Sequence, residues 1–390
     1  MRLRSLQFLR LRVPLRRKVR HAAHVRSVND SLFVRCVTET GIVGWGEGLP
    51  RDYVTGEQTE ELWSRIPQID PAAWQVQFGS LEELRLTLEA WSFPGGSGSR
   101  GCIGNSARCA VELAVLDAWS QEQRQPLFET IRQLAPETVL QREVPSSVCY
   151  TAVLTSASDL KLTLMALAAR AYGFRQVKLK VGGEIDSEQR LVRRVRRTLG
   201  TGIDLRVDAN GAWSPDELTD RLAALKPLGV ASVEQPLPLS EVGALDWIRG
   251  QAAVPIMLDE SLCSVSDAVA AIENQRCDAF NIRLSKCGGI LNSLAIMQLG
   301  LDAGLRVQLG CMVGETGILS AAGRHFAVAV QGLQALEGSN DRFLFQTMLT
   351  QEDLTWSYRG RGPRLNSPGL GIHVDERVLS DWQQSACSMF

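Results

Sequence analysis

The chain has nine cysteines but none of the usual cysteine patterns. Nine is an odd number, and no two stand as C-x-x-C. Cys102 and Cys109 could face each other on one helix, yet four zinc ligands never assemble. The cysteines read as buried or free thiols of a reducing cytoplasm. No apolar run reaches the roughly 18 residues of a membrane span. An excess of one charge is missing too, since 42 Lys and Arg offset 43 Asp and Glu. Such a balance gives the chain no reason to bind nucleic acid or an anionic membrane. What is present is a hydrophobic fraction of 45%, enough for a large core, in a chain of 390 residues, a length that suggests two domains.

The N-terminus is rich in arginine and free of acids, as a transit peptide would be. Its alternation, Leu9, Leu11 and Val13 against Arg10 and Arg12, fits a strand better. Two further runs, SLFVRCVTE and IVGWGEG, flank the turn residues Thr40 and Gly41 and predict a hairpin. The basic stretch between, about residues 16–30, has no clear period and reads as a loop. Helical runs follow over 57–91, then the Gly/Ser-rich stretch 93–104, read as a mobile loop, and a buried helix in NSARCAVELAVLDAWSQEQ. Residues 1–135 are therefore expected to form a separate α+β domain.

From there to 340 a period takes over. Short β-rich runs end at Lys180, Asp208, Glu234, Asp259, Lys286, Cys311 and Glu337, at steps of 28, 26, 25, 27, 25 and 26 residues. A regular step of this length marks a repeated unit, here a strand, a polar residue and an amphipathic helix. Seven or eight such units in about 190 residues suit a closed parallel barrel. SSVCYTAVL (146–154) is expected as its first strand. The predicted fold class is α/β, a modified (β/α) barrel over 145–340 with an α+β capping domain. The remainder, 341–390, reads as a loop, a short strand and a tail that packs back on that domain.

The strand ends of such a barrel share one mouth, so these polar residues converge. Asp208, Glu234 and Asp259 would repel one another there unless a cation neutralised them. Oxygen ligands without histidine favour a hard divalent ion, Mg²⁺ with Mn²⁺ as a substitute. Asn210 and Glu260 are placed to support the three ligands. Lys178 and Lys180 point to one face of their strand. If that face is the interior, mutual repulsion and burial would leave one of them neutral enough to act as a base. Lys286, before Gly288-Gly289, would face Lys180 across the mouth and give one substrate a base on each side.

The set KLK at 178–180, DANG at 208–211, EQP at 234–236, LDES at 258–261 and KCGG at 286–289 resembles the enolase superfamily, and within it the muconate lactonizing enzyme subgroup. WGE at 45–47 and PGLGI at 368–372 fit that family's outer segments, so the resemblance covers nearly the whole chain. It implies Mg²⁺ on Asp208, Glu234 and Asp259. It also implies Lys180 and Lys286 as acid and base, with Lys178 tuning its neighbour. None of His21, His24, His325 and His373 ends a barrel strand, so the histidine–aspartate pair of the mandelate racemase subgroup has no match.

The expected chemistry is removal of the proton α to a substrate carboxylate through an enediolate, in a cytoplasmic enzyme that the resemblance makes a homo-oligomer. With both lysines present, racemisation or epimerisation of an amino-acid-like or small carboxylic acid is expected. The alternative is muconate-type cycloisomerisation or syn-dehydration as in o-succinylbenzoate synthase, while a non-catalytic metal-stabilised scaffold fits the intact acid and lysine set poorly. Specificity is implied for cap loops, here about 16–30 and 50–57, with Arg51 and Tyr53 as candidate substrate contacts. Dipeptide-epimerising relatives carry Asp-x-Asp after the eighth strand; this chain has Glu337, Gly338, Ser339, Asn340 and Asp341. Glu315, in VGETG, could hold a substrate cation instead or cap the next helix.

Overall fold

The computed structural model describes residues 1–21, 24–96, 100–155 and 158–390. β1 (Leu3–His21), β2 (His24–Thr38) and β3 (Val43–Gly48) form an antiparallel meander. Leu11 and Val13 are buried while Arg12 faces outward, so the arginine-rich start is a strand. The stretch expected as a loop over 16–30 is instead an antiparallel ribbon, apart from residues 22 and 23, which lie outside the described residues. Its register shifts between Pro14 and Val19, where proline removes a ladder donor. Of the glycine-rich stretch 93–104, residues 97–99 also lie outside the described set.

β3 explains why GWGEG is written as it is. A Cβ on Gly44, Gly46 or Gly48 would overlap the carbonyl oxygens of Ala114, Ala110 and Ser106 respectively. The alternate glycines thus let successive turns of the buried helix Asn105–Glu122 lie directly on the strand.

The second sheet is parallel. β4 (Ser147–Cys149) is not part of it, because it pairs antiparallel with β13 (Arg361–Pro363). The expected first barrel strand is therefore split, and only β5 (Ala152–Leu154) joins the ring. β6 (Gln176–Lys180), β7 (Asp204–Asp208), β8 (Val230–Glu234), β9 (Ile256–Leu258), β10 (Ala279–Ile282), β11 (Arg306–Leu309) and β12 (Leu333–Leu336) follow in sequence order around it. The Thr151 N–H donates to the Leu336 carbonyl at 2.7 Å and brings the two ends of the sheet together.

Helices cover the outside. Ile185–Leu199 buries Val192, Val195 and Leu199 and turns Arg190, Arg194 and Arg197 outward, as its periodicity demands. Between β8 and β9 only short helical turns over Leu239–Gln251 occur, so that unit departs from the pattern. Lys286 does not end a strand: it lies in a single helical turn, Leu284–Cys287, after β10. Gly288 and Gly289, at φ of 85° and 108°, end that turn in backbone conformations few other residues adopt.

The tail does more than the sequence suggested. It forms a helix, Glu376–Trp382, and then β14 (Gln383–Ser388), which pairs antiparallel with β1 and completes the cap sheet in the order β14-β1-β2-β3. The architecture is thus an eight-stranded, barrel-like parallel sheet capped by an N-terminal antiparallel sheet that includes the C-terminal strand. Among the described residues no helix is long and apolar enough to cross a membrane.

Candidate active site

Lys178 and Lys180 project from β6 into the ring, as their shared face requires. Lys178 is buried, with Nζ 2.7 Å from Glu337, 3.0 Å from Glu234 and 3.5 Å from Asp208. Burial works against its charge, but these three carboxylates outweigh it and raise its pKa above the usual lysine value. The expectation that one lysine of this pair is pushed neutral therefore fails for Lys178, because acids rather than Lys180 surround its ammonium. Lys180 is more open; Nζ donates to Asn210 Oδ1 at 2.8 Å and lies 3.8 Å from Asp208. Lys286 is fully buried and donates to the Asp259 carbonyl at 2.6 Å, Asp259 Oδ1 at 2.9 Å and the Asn281 carbonyl at 2.8 Å. Burial lowers its pKa. β6 and β10 are four strands apart in the eight-stranded ring, so Lys180 and Lys286 approach the mouth from opposite sides.

Asp208, Glu234 and Asp259 follow one another at the ends of β7, β8 and β9, all buried. Basic groups lie among them. Arg283 pairs with Asp259 and stands 3.6 Å from Glu234. Burial opposes the Glu234 charge, but Lys178, Arg283 and Arg206 hold its carboxyl well below the ordinary range. Among the described residues no three acidic, histidine or cysteine side chains converge as a ready-made cage. The donor chemistry nevertheless fits a hard divalent cation. Three carboxylates sit on adjacent strands, and Asp208 Oδ2 is buried without a hydrogen-bond partner.

Supporting residues tie the acids together. Asn210 has φ 46°; its side chain accepts from Lys180 and donates to Glu260 Oε1 at 3.2 Å. Burial, and then the charges of Asp208 and Glu234, push the Glu260 carboxyl up to about 7. Gln235, with φ 37°, accepts from the Asp259 N–H at 2.9 Å and from the Ser261 N–H and hydroxyl. Positive φ in non-glycine residues just beyond two site acids is local strain of the kind functional sites hold.

The interior also contains Arg283, Arg206, Asn281 and Gln308, to which the sequence assigns no role, and Glu337, expected at the mouth as the end of the eighth strand but without a task there. Asn281 and Arg283 are legible in principle, because Asn281 on β10 and Arg283 just past its end repeat the two-residue spacing of Lys178 and Lys180. Arg206 and Gln308 occupy interior positions of β7 and β11 that only a closed ring brings together.

The candidate substrate contacts fare differently. Arg51 is turned inward: its guanidinium binds Asn29 Oδ1 and the carbonyls of Asp30, Pro50 and Val313, the last at 3.4 Å. It clamps the ribbon to the loop after β11, and its one unpaired nitrogen, Nε, is buried away from solvent. Tyr53 is half-buried, with the Arg26 guanidinium 4.9 Å above its ring. Glu315 Oε1 accepts the Met312 N–H at 2.6 Å, closing the turn after β11, and burial pushes its carboxyl up to about 8. It lines a cavity of about 10 Å³ with Tyr150, Ser320, Glu337 and Ser339. The cap of helix Gly317–Ala329 is Thr316, not Glu315.

Residues 163–378 match the family model described as Enolase C-terminal domain-like. The chain belongs to the enolase superfamily. It is 30% identical to a hydrophobic dipeptide epimerase of Enterococcus faecalis, over 78% of this chain and 80% of that protein. It is 28% identical to an N-succinyl-L-Arg/Lys racemase of Bacillus cereus, over 98% of each. The crystal structure of the Bacillus cereus racemase superposes with a TM-score of 0.86 over the full length of both chains at 24% identity, which speaks for the fold. The Enterococcus faecalis epimerase, solved in complex with Mg and the dipeptide L-Leu-L-Tyr, superposes with a TM-score of 0.82 at 26% identity, over 95% of this chain and 99% of that one. The chain is an enolase-superfamily isomerase.

Proposed function

We propose that this isomerase racemises or epimerises an amino-acid derivative by moving the proton α to its carboxylate from one face to the other. The observation that carries this reading is the pair of lysines on opposite sides of one mouth, Lys180 on β6 and Lys286 after β10. One lysine removes the proton, and the other, protonated, returns one to the opposite face. Lys286 suits the first role, since burial already disfavours its charge. Lys180 reaches Asn210 and has solvent access, through which it can exchange its proton.

Asp208, Glu234 and Asp259 would hold Mg²⁺, with Asn210 and Glu260 orienting Asp208 and Lys180 around it. When bound, the ion neutralises the charge that develops on the substrate carboxylate as the α-proton leaves. Lys178, ringed by Glu234, Glu337 and Asp208, stays protonated and positions those acids rather than exchanging protons itself. Arg283, which pairs with Asp259, would have to give way to such an ion.

The named relatives act on dipeptides and N-succinyl amino acids, and we assign this chain an N-acylated amino acid ahead of a dipeptide. The supporting observation is that the acids beyond β12 are buried. Glu337 pairs with Lys178, and Asp341 is buried, its Oδ1 accepting the Ser320 hydroxyl at 2.7 Å and its Oδ2 unpaired but closed off from solvent, so neither presents an open carboxylate to a substrate ammonium. The test is chiral chromatography of N-succinyl and N-acetyl amino acids and of dipeptides after incubation with Mg²⁺. Interconversion of antipodes without a mass change supports the reading. A product lighter by water, or an isomer of different connectivity, would replace it with dehydration or cycloisomerisation.

A further inference from the structure

Two thiols from opposite parts of the fold meet beneath the loop 51–57. Cys102 ends the glycine-rich segment just ahead of helix Asn105–Glu122, while Cys263 lies in the turn after β9, four residues past Asp259. They are 161 positions apart in sequence, and both are buried. Cys102 Sγ donates to the Thr55 carbonyl at 3.4 Å, and Cys263 Sγ lies 3.6 Å from the neighbouring Val54 carbonyl. The two sulfurs are thus held against consecutive carbonyls of one loop, and the Glu260 carbonyl that Cys263 Sγ also meets, at 3.4 Å, is the one that Arg100 binds.

Their surroundings are unequal. Arg100, two residues before Cys102, is fixed by Asp267 at 2.9 Å and by the Glu260 carbonyl at 3.0 Å. The neighbouring Cys263 thiol lowers the pKa of Cys102 against burial, and the Arg100 charge adds to it. Burial raises Cys263 well above its ordinary value. Burial likewise raises Cys36, Cys109 and Cys287. A thiol whose proton is held less tightly, close to a second thiol, is the arrangement of an attacking and a resolving cysteine.

We propose that Cys102 and Cys263 form an oxidisable dithiol whose disulfide links the cap to the barrel beside the active-site mouth. The oxidant is a peroxide. The Cys102 thiolate attacks one peroxide oxygen, the O–O bond breaks, and the departing hydroxide takes up a proton to leave as water. This leaves a sulfenic acid on Cys102. Cys263 then attacks that sulfur, the S–O bond breaks, and hydroxide leaves with the Cys263 proton as a second water. In sum, two thiols lose two electrons and two protons to one hydrogen peroxide, giving one disulfide and two waters. The bridge closes a long loop, restricts the unfolded chain and fixes the Val54–Thr55 segment against the turn that follows Asp259.

The test does not depend on the substrate. The full chain is treated with hydrogen peroxide, denatured, alkylated and mapped as peptides without reduction. The expected result is a Cys102 peptide joined to a Cys263 peptide, lighter by two hydrogens, at peroxide levels that leave Cys36 and Cys109 alkylated. Reduction should separate the two, and the oxidised protein should melt at a higher temperature than the reduced one. In Cys263→Ser, Cys102 should stop at a sulfenic acid that a dimedone probe captures. If Cys102 and Cys263 are both recovered alkylated once the exposed Cys149 has been oxidised, the proposal is overturned. Should the variant not fold, the peptide map of the unaltered chain decides.

Discussion

Glu47, on β3 of the cap, accepts hydrogen bonds from both the N–H and the hydroxyl of Thr316, at 3.0 and 2.8 Å. It also takes the Leu319 N–H at 3.1 Å. These are free donors at the N-terminus of helix Gly317–Ala329, so a cap residue supplies the acceptor that a barrel helix needs. Glu112 does the same for helix Ile290–Asp302, accepting from Ile290 and Leu291. Glu47→Ala should therefore loosen the cap from the barrel and cost roughly 3 kcal/mol, from buried donors left unpaired. Urea unfolding measures it; a change of a few tenths would show that the contact carries no load.

Arg51 should behave as a structural clamp. Arg51→Ala would strand Asn29 and the Val313 carbonyl and cost roughly 2–4 kcal/mol. In whatever folded fraction remains, KM should change little. A variant of normal stability with a strongly raised KM would instead make Arg51 a substrate contact.

His325 sets a pH dependence. Its Nδ1 accepts the Phe128 N–H at 3.2 Å and its Nε2 meets the Leu370 carbonyl at 3.0 Å, which requires the neutral ring. Burial pushes its pKa down to about 4, from an ordinary 6.5. As pH falls through 6.5 the unfolded chain takes up the proton first, so stability drops until about pH 4. The full effect is on the order of 3 kcal/mol. The check is the stability difference between the unaltered chain and His325→Gln, which should narrow across that window; a difference constant from pH 7 to 4 would contradict it.

Ion binding should be visible without turnover. Mg²⁺ at 100 times its dissociation constant raises stability by about 2.7 kcal/mol if it binds only the folded chain. Thermal melts with and without Mg²⁺ should therefore differ for the unaltered chain and coincide for Asp208→Asn. Equal shifts in both would remove Asp208 from the ion site.

Much of the site was legible because a closed ring turns sequence period into proximity. Lys180, Asp208, Glu234 and Asp259 end successive strands, and once the period is seen their convergence follows. Lys286 was harder to place, because Gly288 and Gly289 hold it in a helical turn past the strand rather than at its end. The pairing of Lys178 with three acids was not legible, since it depends on Glu337 reaching across from β12. The ribbon over 16–30 was misread for a related reason. Its two strands lack alternation, and they are extended because they pair with each other and lean on the segment near Phe345. Arg51 shows the limit of inference from residue type, since a loop arginine near a mouth can equally be an internal strut.

The most direct measurement is α-deuterium incorporation in D₂O, followed separately for each antipode of an N-acylated amino acid that the enzyme turns over. With a base on each side, Lys180→Ala and Lys286→Ala should each abolish racemisation, by roughly 100- to 10,000-fold. Each variant should lose exchange for one antipode and keep it for the other, in opposite senses. Exchange of both antipodes in either variant, at rates near that of the unaltered enzyme, would contradict the two-lysine account.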